Sequence, residues 1–289
     1  MLKIEPRGYE SEFWKYFSPV MALLLTGATA GLIFALMGRP PGLTVYTFLV
    51  TPLINTGGFE ALVVKAAPLI MMGVGLSLAY KANVWNIGTD GQFTIGAICG
   101  GGVALALPDA PALVVFPLVL LAGMIGGALN GGLVAWLRIK FNANEILTSL
   151  MFAYISQYLL VYLVTGPWRD PMGFGFPQTA MFSDEALAPK LVENTNVHLG
   201  ILLAPLIAVA LWFMLDKSLL GFQFRVLGQA TRAAKFAGFS ENKLVWIAML
   251  ISGGLAGLAG VFEVTGTLGQ LTTNISPGYG YTAIIVAFL

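Results

Sequence analysis

Apolar runs that are each about as long as a bilayer-crossing helix recur along this chain. A transmembrane helix needs about 20 predominantly apolar residues, and Gly and Pro turn signals separate the runs. The sequence therefore predicts an all-α, polytopic transmembrane protein with at least eight spans. The predicted spans are 19–38, 61–80, 91–107, 112–137, 145–164, 199–215, 243–264 and an eighth that begins near residue 279.

Composition excludes several other classes of protein. Charged residues make up 10% of the chain, against about 25% in a typical soluble domain. The runs are continuous rather than alternating, which excludes a transmembrane β-barrel. A net charge of +1 provides no basic patch for nucleic acid. Because Cys99 and His198 are single, neither a disulfide framework nor a zinc or histidine-relay centre is expected.

The basic residues indicate which loops lie on the cytoplasmic side of the membrane. Most of the 15 Lys and Arg residues fall on the inner side if the N-terminus is cytoplasmic. This orientation gives a cytoplasmic N-terminal segment, 1–18, and a single transmembrane domain, 19–289. Within that domain, 216–243 is a cytoplasmic loop and 165–198 an extracytoplasmic one. The apolar run after Gly278 is too short to cross, so we expect the domain to be truncated at the C-terminus.

A polar insert that contains glycines, residues 81–92, separates two apolar runs. Such a segment is tolerated at membrane depth only if it is buried in protein or lines a water-filled cavity. A half-helix that starts near Gly91 would direct the positive end of its dipole at a polar ligand; the alternative is an ordinary cytoplasmic loop. The first interpretation predicts one broken or half-crossing helix, with a polar cavity contacted by Asn86, Thr89, Asp90 and Gln92.

Carboxylates at the edges of the predicted spans form a second group of candidates. Ionisable groups inside a membrane are costly and usually functional, which makes Glu145, beside Asn144, and Glu263 candidate substrate-pathway residues. The alternative places both carboxylates at the membrane interface, and Glu145 is favoured there by the helix dipole.

The loop 216–243 is longer than a helix connection of about 2–8 residues needs to be, and it alternates basic with apolar residues. We expect short amphipathic helices bounded by Gly228 and Gly238. They would lie on anionic headgroups or dock into a groove of a soluble partner, and the interleaved apolar residues favour docking.

Four segments, in order, resemble motifs of the ATP-binding-cassette (ABC) importer permeases that serve branched-chain amino acids, simple sugars and nucleosides. Residues 86–92, NIGTDGQ, resemble the NIGxEGQ signature of the nucleoside and simple-sugar branch, with Asp90 in place of Glu. Residues 141–151 resemble its NEVIxTLM segment, 225–238 its RAVGxNxxAAxxAGI loop and 252–260 its SGALAGLAG helix. The resemblance covers roughly residues 60 to 289.

The resemblance implies that the chain is a multi-pass translocation subunit of an importer in the bacterial cytoplasmic (inner) membrane. The importer would carry a nucleoside or related simple sugar-type solute. It implies no enzyme activity and no cofactor in this chain, since separate ABC ATPase subunits bind ATP and magnesium. A second permease, in a homo- or heterodimer, and an extracytoplasmic solute-binding protein complete the assembly, and 165–198 should help to dock the binding protein. The ATPase-coupling residues implied are Arg225, Gly228, Arg232, Ala233, Lys235 and Gly238.

Two other functions compete with this interpretation. An ion-coupled secondary transporter would need carboxylates deeper in the spans than the sequence places them. A membrane enzyme would need a convergent set of acid, base and nucleophile, and one His with few acids makes it improbable. No GxxxxGK[ST] motif occurs, so the chain has no nucleotide-binding loop of that type.

Overall fold

A computed structural model describes residues 11–288, most of which are helical. The described part contains only isolated β-bridges and no strand, which confirms the predicted all-α class. The helices are α1 Glu12–Leu36, α2 Pro41–Leu49, α3 Thr51–Ile54, α4 Thr56–Lys81, α5 Thr89–Ala106, α6 Ala112–Phe141, α7 Glu145–Thr165, α8 Leu199–Lys217, α9 Leu219–Gln229, α10 Thr231–Phe236, α11 Glu241–Phe262 and α12 Tyr279–Phe288. A 3-10 turn spans Asp184–Ala186, and a π-helical segment, Glu263–Leu268, continues α11.

Six of the described helices are long and apolar enough to cross a membrane: α1, α4, α6, α7, α8 and α11 with its π-helical continuation. The predicted count of at least eight spans is not confirmed. The predicted span 91–107 does form a helix, α5, but its first turn carries Thr89, Asp90 and Gln92, which lower its hydropathy. Helix α12 has only 10 residues within the described chain.

The chain divides into two compact units, Met1–Leu62 and Val63–Leu289. In the first unit α1 packs against α2, where a Cβ on Gly31 would lie 3.8 Å from Pro41 Cβ. Helix α1 begins at Glu12, before the predicted span at 19. Residues 1–10 of the predicted N-terminal segment lie outside the described residues.

The second unit is built around α5, which α6, α7 and α11 enclose. Glycines make this arrangement possible, because the backbones of three helices touch where side chains would keep them apart. A Cβ on Gly96 of α5 would lie 2.2 Å from Gly257 Cα of α11, and one on Gly257 would lie 2.2 Å from the carbonyl oxygen of Gly123 in α6. In lipid, such close backbone approach supplies the dispersion contacts that hold helices together.

We expect Gly257→Ala to destabilise the helix core, because the new methyl group would overlap backbone atoms that cannot move aside independently. Overpacking of this kind costs about 1–3 kcal/mol. Gly254→Ala in the same helix is the matched control, since its nearest neighbour, Met124 Cγ, would lie 3.4 Å away. Thermal unfolding of the two variants in detergent measures the difference, and equal midpoints would contradict the packing described.

Candidate functional site

The polar insert forms an irregular, largely buried connection between α4 and α5. Helix α4 ends at Lys81, and α5 begins at Thr89, two residues before the predicted start at Gly91. Within the connection, the side chains of Ala82, Val84 and Asn86 are buried. Asn83 and Trp85 alternate with them and are exposed, so one side of the connection faces the protein interior.

Two buried side-chain amides fix the start of α5. Asn86 Nδ2 donates to Gln92 Oε1 at 2.8 Å, and Gln92 Nε2 donates back to Asn86 Oδ1 at 3.0 Å. Asn86 Nδ2 also donates to Ser252 Oγ of α11 at 3.0 Å, and the backbone N–H of Gly88 donates to Asn86 Oδ1 at 3.2 Å. All three side chains are fully buried. This amide cluster, Asn86, Gln92 and Ser252, ties the connection to two helices.

Helix α7 packs directly on the backbone at the start of α5. A Cβ on Gly88 would lie 2.4 Å from the carbonyl oxygen of Ser149, and one on Gly91 would lie 2.4 Å from Ala153 Cα. The Ile87 N–H donates to Ser149 Oγ at 3.2 Å. The glycines of the 86–92 motif thus provide close approach to α7.

Asp90 is the one member of the predicted set Asn86, Thr89, Asp90 and Gln92 that is partly exposed. Its Oδ1 accepts from Ser276 Oγ at 2.7 Å and from the Gly280 N–H at 2.9 Å. Ser276 Oγ in turn accepts from the N–H groups of Gly278 and Tyr279. The N-termini of α5 and α12 therefore meet at one carboxylate, where both dipoles favour negative charge.

Sequence reasoning missed Ser276. The available signal was a serine followed by Pro277 and Gly278 just before an apolar run, a pattern typical of a helix N-cap. Thr89, beside Asp90, is fully buried, and its hydroxyl has no hydrogen-bond partner among the described residues.

The other predicted pathway residues lie at two separate places. Asn144 caps α7, its Oδ1 accepting from the Ile146 N–H at 2.9 Å. Glu145, in the first turn of α7, pairs with Arg138 of α6 at 2.8 Å. Glu263 is buried at the junction of α11 and the π-helical segment, where Tyr279 Oη donates to Glu263 Oε1 at 3.5 Å. The structure thus connects Glu263 to the start of α12, while Asn144 and Glu145 mark the start of α7.

An irregular segment, residues 269–278, joins the π-helical segment to α12. The predicted extracytoplasmic loop lies along its beginning, where the Thr179 N–H donates to the Leu271 carbonyl oxygen at 3.0 Å. Further along, Gln157 Nε2 of α7 donates to the carbonyl oxygen of Thr273 at 2.8 Å. Since Gln157 lies in the middle of α7, the irregular backbone extends to the depth of the middle of that helix.

His198 caps α8 at the end of the loop 165–198, which the sequence predicts to be extracytoplasmic. Its Nδ1 accepts from the Gly200 N–H at 3.2 Å, and its ring stacks on Phe262 with centroids 5.8 Å apart. Burial lowers the pKa of His198 to about 4, so the ring is neutral at neutral pH. The histidine has the geometry of a neutral structural cap.

The predicted cytoplasmic loop contains two short helices, α9 and α10. Phe224 and Leu227 of α9 are buried together with Ala82 and Val84 of the connection between α4 and α5. A Cβ on Gly228 would lie 2.1 Å from the carbonyl oxygen of Lys81. Helix α9 thus rests directly on the segment that leads into α5.

The other predicted coupling residues lie on the outer surface of the same loop. Arg225 lies 3.7 Å from Asp216, and Lys235 pairs with Glu241 at 2.9 Å. Arg232 and Ala233 are exposed. Gly238 ends the turn after α10 with a φ of 78°, which favours glycine. Phe236, which the sequence did not single out, is 94% exposed at the end of α10.

Comparison with known proteins places these features in a family. Residues 58–289 match the family model described as the permease component of branched-chain amino acid transport systems. A glucose ABC transporter permease protein of Haloferax volcanii is 35% identical over 100% of this chain and 78% of its own length. A guanosine ABC transporter permease protein of Bacillus subtilis is 29% identical over 94% of this chain and 78% of its own length. A nucleoside ABC transporter permease protein of Lactococcus lactis is 26% identical over 95% and 78%, respectively.

No solved structure matches the chain. The family match covers most of the sequence and includes the amide cluster, the Asp90 contacts and the two helices of the cytoplasmic loop. The chain therefore belongs to the family of permease components of branched-chain amino acid transport systems and is a permease subunit of an ABC importer.

Proposed function

We propose that the chain lines the membrane path of an importer for a nucleoside or related simple sugar-type solute. The observation that carries the proposal is the meeting of two helix N-termini at Asp90, on irregular backbone inside a bundle of apolar helices. Discontinuous helices of this kind form solute sites in transporters because their ends offer unpaired polar groups. Glucose, guanosine and nucleosides, the solutes named for the relatives, share a hydroxylated sugar ring.

Within this path, we assign different roles to the candidate residues. Asp90, which is partly exposed, contacts the solute. The unpartnered Thr89 hydroxyl beside it is fully buried and becomes available to the solute only when the start of α5 moves. Asn86 and Gln92 hold these residues in place through their mutual hydrogen bonds.

The remaining candidate residues border the two ends of the proposed path. Asn144 and Glu145 border its inner end beside Arg138. Glu263 borders its outer part beside Tyr279.

Coupling to ABC ATPase subunits is supported by the packing of α9 and α10. Helix α9 contacts the connection that leads into α5, so a displacement of α9 moves the start of α5. Helix α10 presents Phe236 to the exterior beside Arg232 and Ala233. An exposed aromatic ring with basic neighbours fits a groove of a soluble partner, and ATP with magnesium would bind to that partner.

We expect Phe236→Asp to weaken binding of the ATPase subunit about tenfold or more, as loss of an aromatic anchor does at an interface. Phe236→Leu should retain most of the affinity because it keeps an apolar side chain. Phe174→Asp, at a comparably exposed ring in the loop 165–198, is the control and should leave ATPase binding unchanged. Co-purification and ATPase assays of the assembled importer measure both effects. Normal ATPase binding by Phe236→Asp would remove α10 from the proposed interface.

The loop 165–198 is the proposed docking surface for an extracytoplasmic solute-binding protein. Together with the start of α6, the loop encloses a cleft of about 520 Å³. Its apolar lining includes Phe116 and Leu187, and its charged lining residues are Asp184, Glu185 and Lys190. Met172 and Phe174 are largely exposed nearby in the sequence. An apolar centre with a charged rim is typical of a protein interface.

This assignment requires the N-terminus to be cytoplasmic and the protein to lie in the bacterial inner membrane. The distribution of basic residues supports that orientation. A second permease, identical or related, completes the path in the proposed assembly, because within this chain Asp90 stays partly exposed rather than enclosed.

Cysteine labelling tests the orientation. In a Cys99→Ala background we expect Phe174→Cys to react with a membrane-impermeant maleimide added to intact cells, whereas Phe236→Cys reacts only after the membrane is opened. Both positions are almost fully exposed, at 98% and 94%. Thr179→Cys is the matched control, since this buried position in the outer loop should stay unreactive until the protein is denatured. The opposite labelling of Phe174 and Phe236 would overturn the topology.

A further inference from the structure

Helix α7 presents two different faces. One face, which includes Ser149, Ala153 and Ser156, is buried within the unit. The opposite side carries three exposed tyrosines four residues apart, Tyr154, Tyr158 and Tyr162. Residues at this spacing lie on one side of a helix, so the three rings form a single stripe.

The depth of Tyr154 distinguishes it from an ordinary membrane-interface tyrosine. Tyrosines are enriched at the two ends of a span, where the hydroxyl reaches water, and Tyr162 in the last turn of α7 fits that pattern. Tyr154 lies about 14 Å along the helix from Glu145 at about 1.5 Å per residue, near the middle of a hydrocarbon core about 30 Å thick. A phenol 57% exposed at that depth would leave its hydroxyl unpaired in lipid, which is costly.

Tyr154 lies beside the Asp90 contacts. Ala153 lies against the backbone of Gly91 and Gln157 binds Thr273, so Tyr154 lies at the height on α7 where the first turn of α5 and the irregular segment meet this helix. Tyr281, 40% exposed, follows Gly280, whose N–H binds Asp90. Tyr281 lies near enough to both Asp90 and Tyr154 for a charge on either of them to act on it. Two tyrosines from different helices therefore flank one carboxylate.

The carboxylate between them retains hydrogen-bonding capacity. Both of the hydrogen bonds to Asp90 fall on Oδ1, and Oδ2 accepts none from the described residues. The irregular segment 269–278 borders the same region, with Asn274 exposed between the Gln157–Thr273 and Ser276–Asp90 hydrogen bonds. An aromatic face can pack on a ring that bears hydroxyl groups. The free carboxylate oxygen and the amide can form hydrogen bonds with those hydroxyl groups.

We propose that Tyr154 and Tyr281 form a solute-binding station around Asp90, in which an aromatic face packs on the sugar or base ring while Asp90 Oδ2 accepts from a solute hydroxyl. This inference rests on the proposed function, because it takes the solute to carry a hydroxylated ring. It extends that function by naming the side chains that select the ring.

The test is uptake of radiolabelled guanosine and glucose by the assembled importer in proteoliposomes, with ATP enclosed on the ATPase side. Tyr154→Ala should raise the solute concentration for half-maximal uptake about tenfold, as loss of one aromatic stacking contact does. Tyr154→Phe should retain the affinity for the ring. Tyr162→Ala, an equally exposed tyrosine at the helix end, is the matched control and should behave like the wild type.

The alternative occupants of the tyrosine face give different results. If the face packs against a second permease, Tyr154→Ala should dissociate the permease pair in size-exclusion chromatography, and this result would overturn the inference. If the face contacts lipid, Tyr154→Ala and Tyr162→Ala should both transport like the wild type, which would also overturn it. Failure of the wild-type importer to take up either solute would refute the proposed solute class and the station together. Normal uptake by the wild type and equal uptake by the Tyr154→Ala variant would refute the station alone.

Discussion

Backbone N–H and C=O groups in a membrane must find partners within the protein, and just before α5 the side chains of Asn86 and Ser149 meet part of that requirement. In the connection between α4 and α5, the N–H groups of Ala82, Asn83 and Val84 still donate to carbonyls at the end of α4. Beyond them, Asn86 supplies an acceptor to Gly88 and Ser149 supplies one to Ile87. Asn86 could not be buried alone, since an unpaired amide is costly in a low-dielectric interior. Gln92 and Ser252 provide its partners.

Once the connection is fixed, the positions of the other elements follow. Helix α5 starts where Gly88 and Gly91 meet α7, and it continues between α6 and α11, where glycines allow the backbones to touch. Asp90 is then placed to receive the start of α12. On the opposite side, α9 rests against Lys81 and the buried residues Ala82 and Val84. A single connection therefore links α9, in the predicted cytoplasmic loop, to the proposed solute station.

The sequence predicted these elements to different extents. The apolar runs located the helices, and the 86–92 motif identified the polar break before α5, because both signals are local. The contacts of Asp90 could not be predicted, since Ser276 lies 186 residues away in sequence and neither residue indicates the other. The irregular segment 269–278 was likewise missed, because its depth depends on Gln157, 116 residues from Thr273. Polar residues in the first turn of α5 reduced its hydropathy and made span counting unreliable there.

A double-mutant cycle on Asn86 and Gln92 tests most directly the claim that their pair holds the start of α5. Unfolding free energies in detergent would be compared for Asn86→Ala, Gln92→Ala and the double variant, with Asn86→Ala plus Asn144→Ala as the control pair, since Asn144 caps a different helix. Two reciprocal buried hydrogen bonds predict a coupling energy of about 1–3 kcal/mol for Asn86 and Gln92, and none for the control pair. Additivity of Asn86 and Gln92 within about 0.5 kcal/mol would contradict the account.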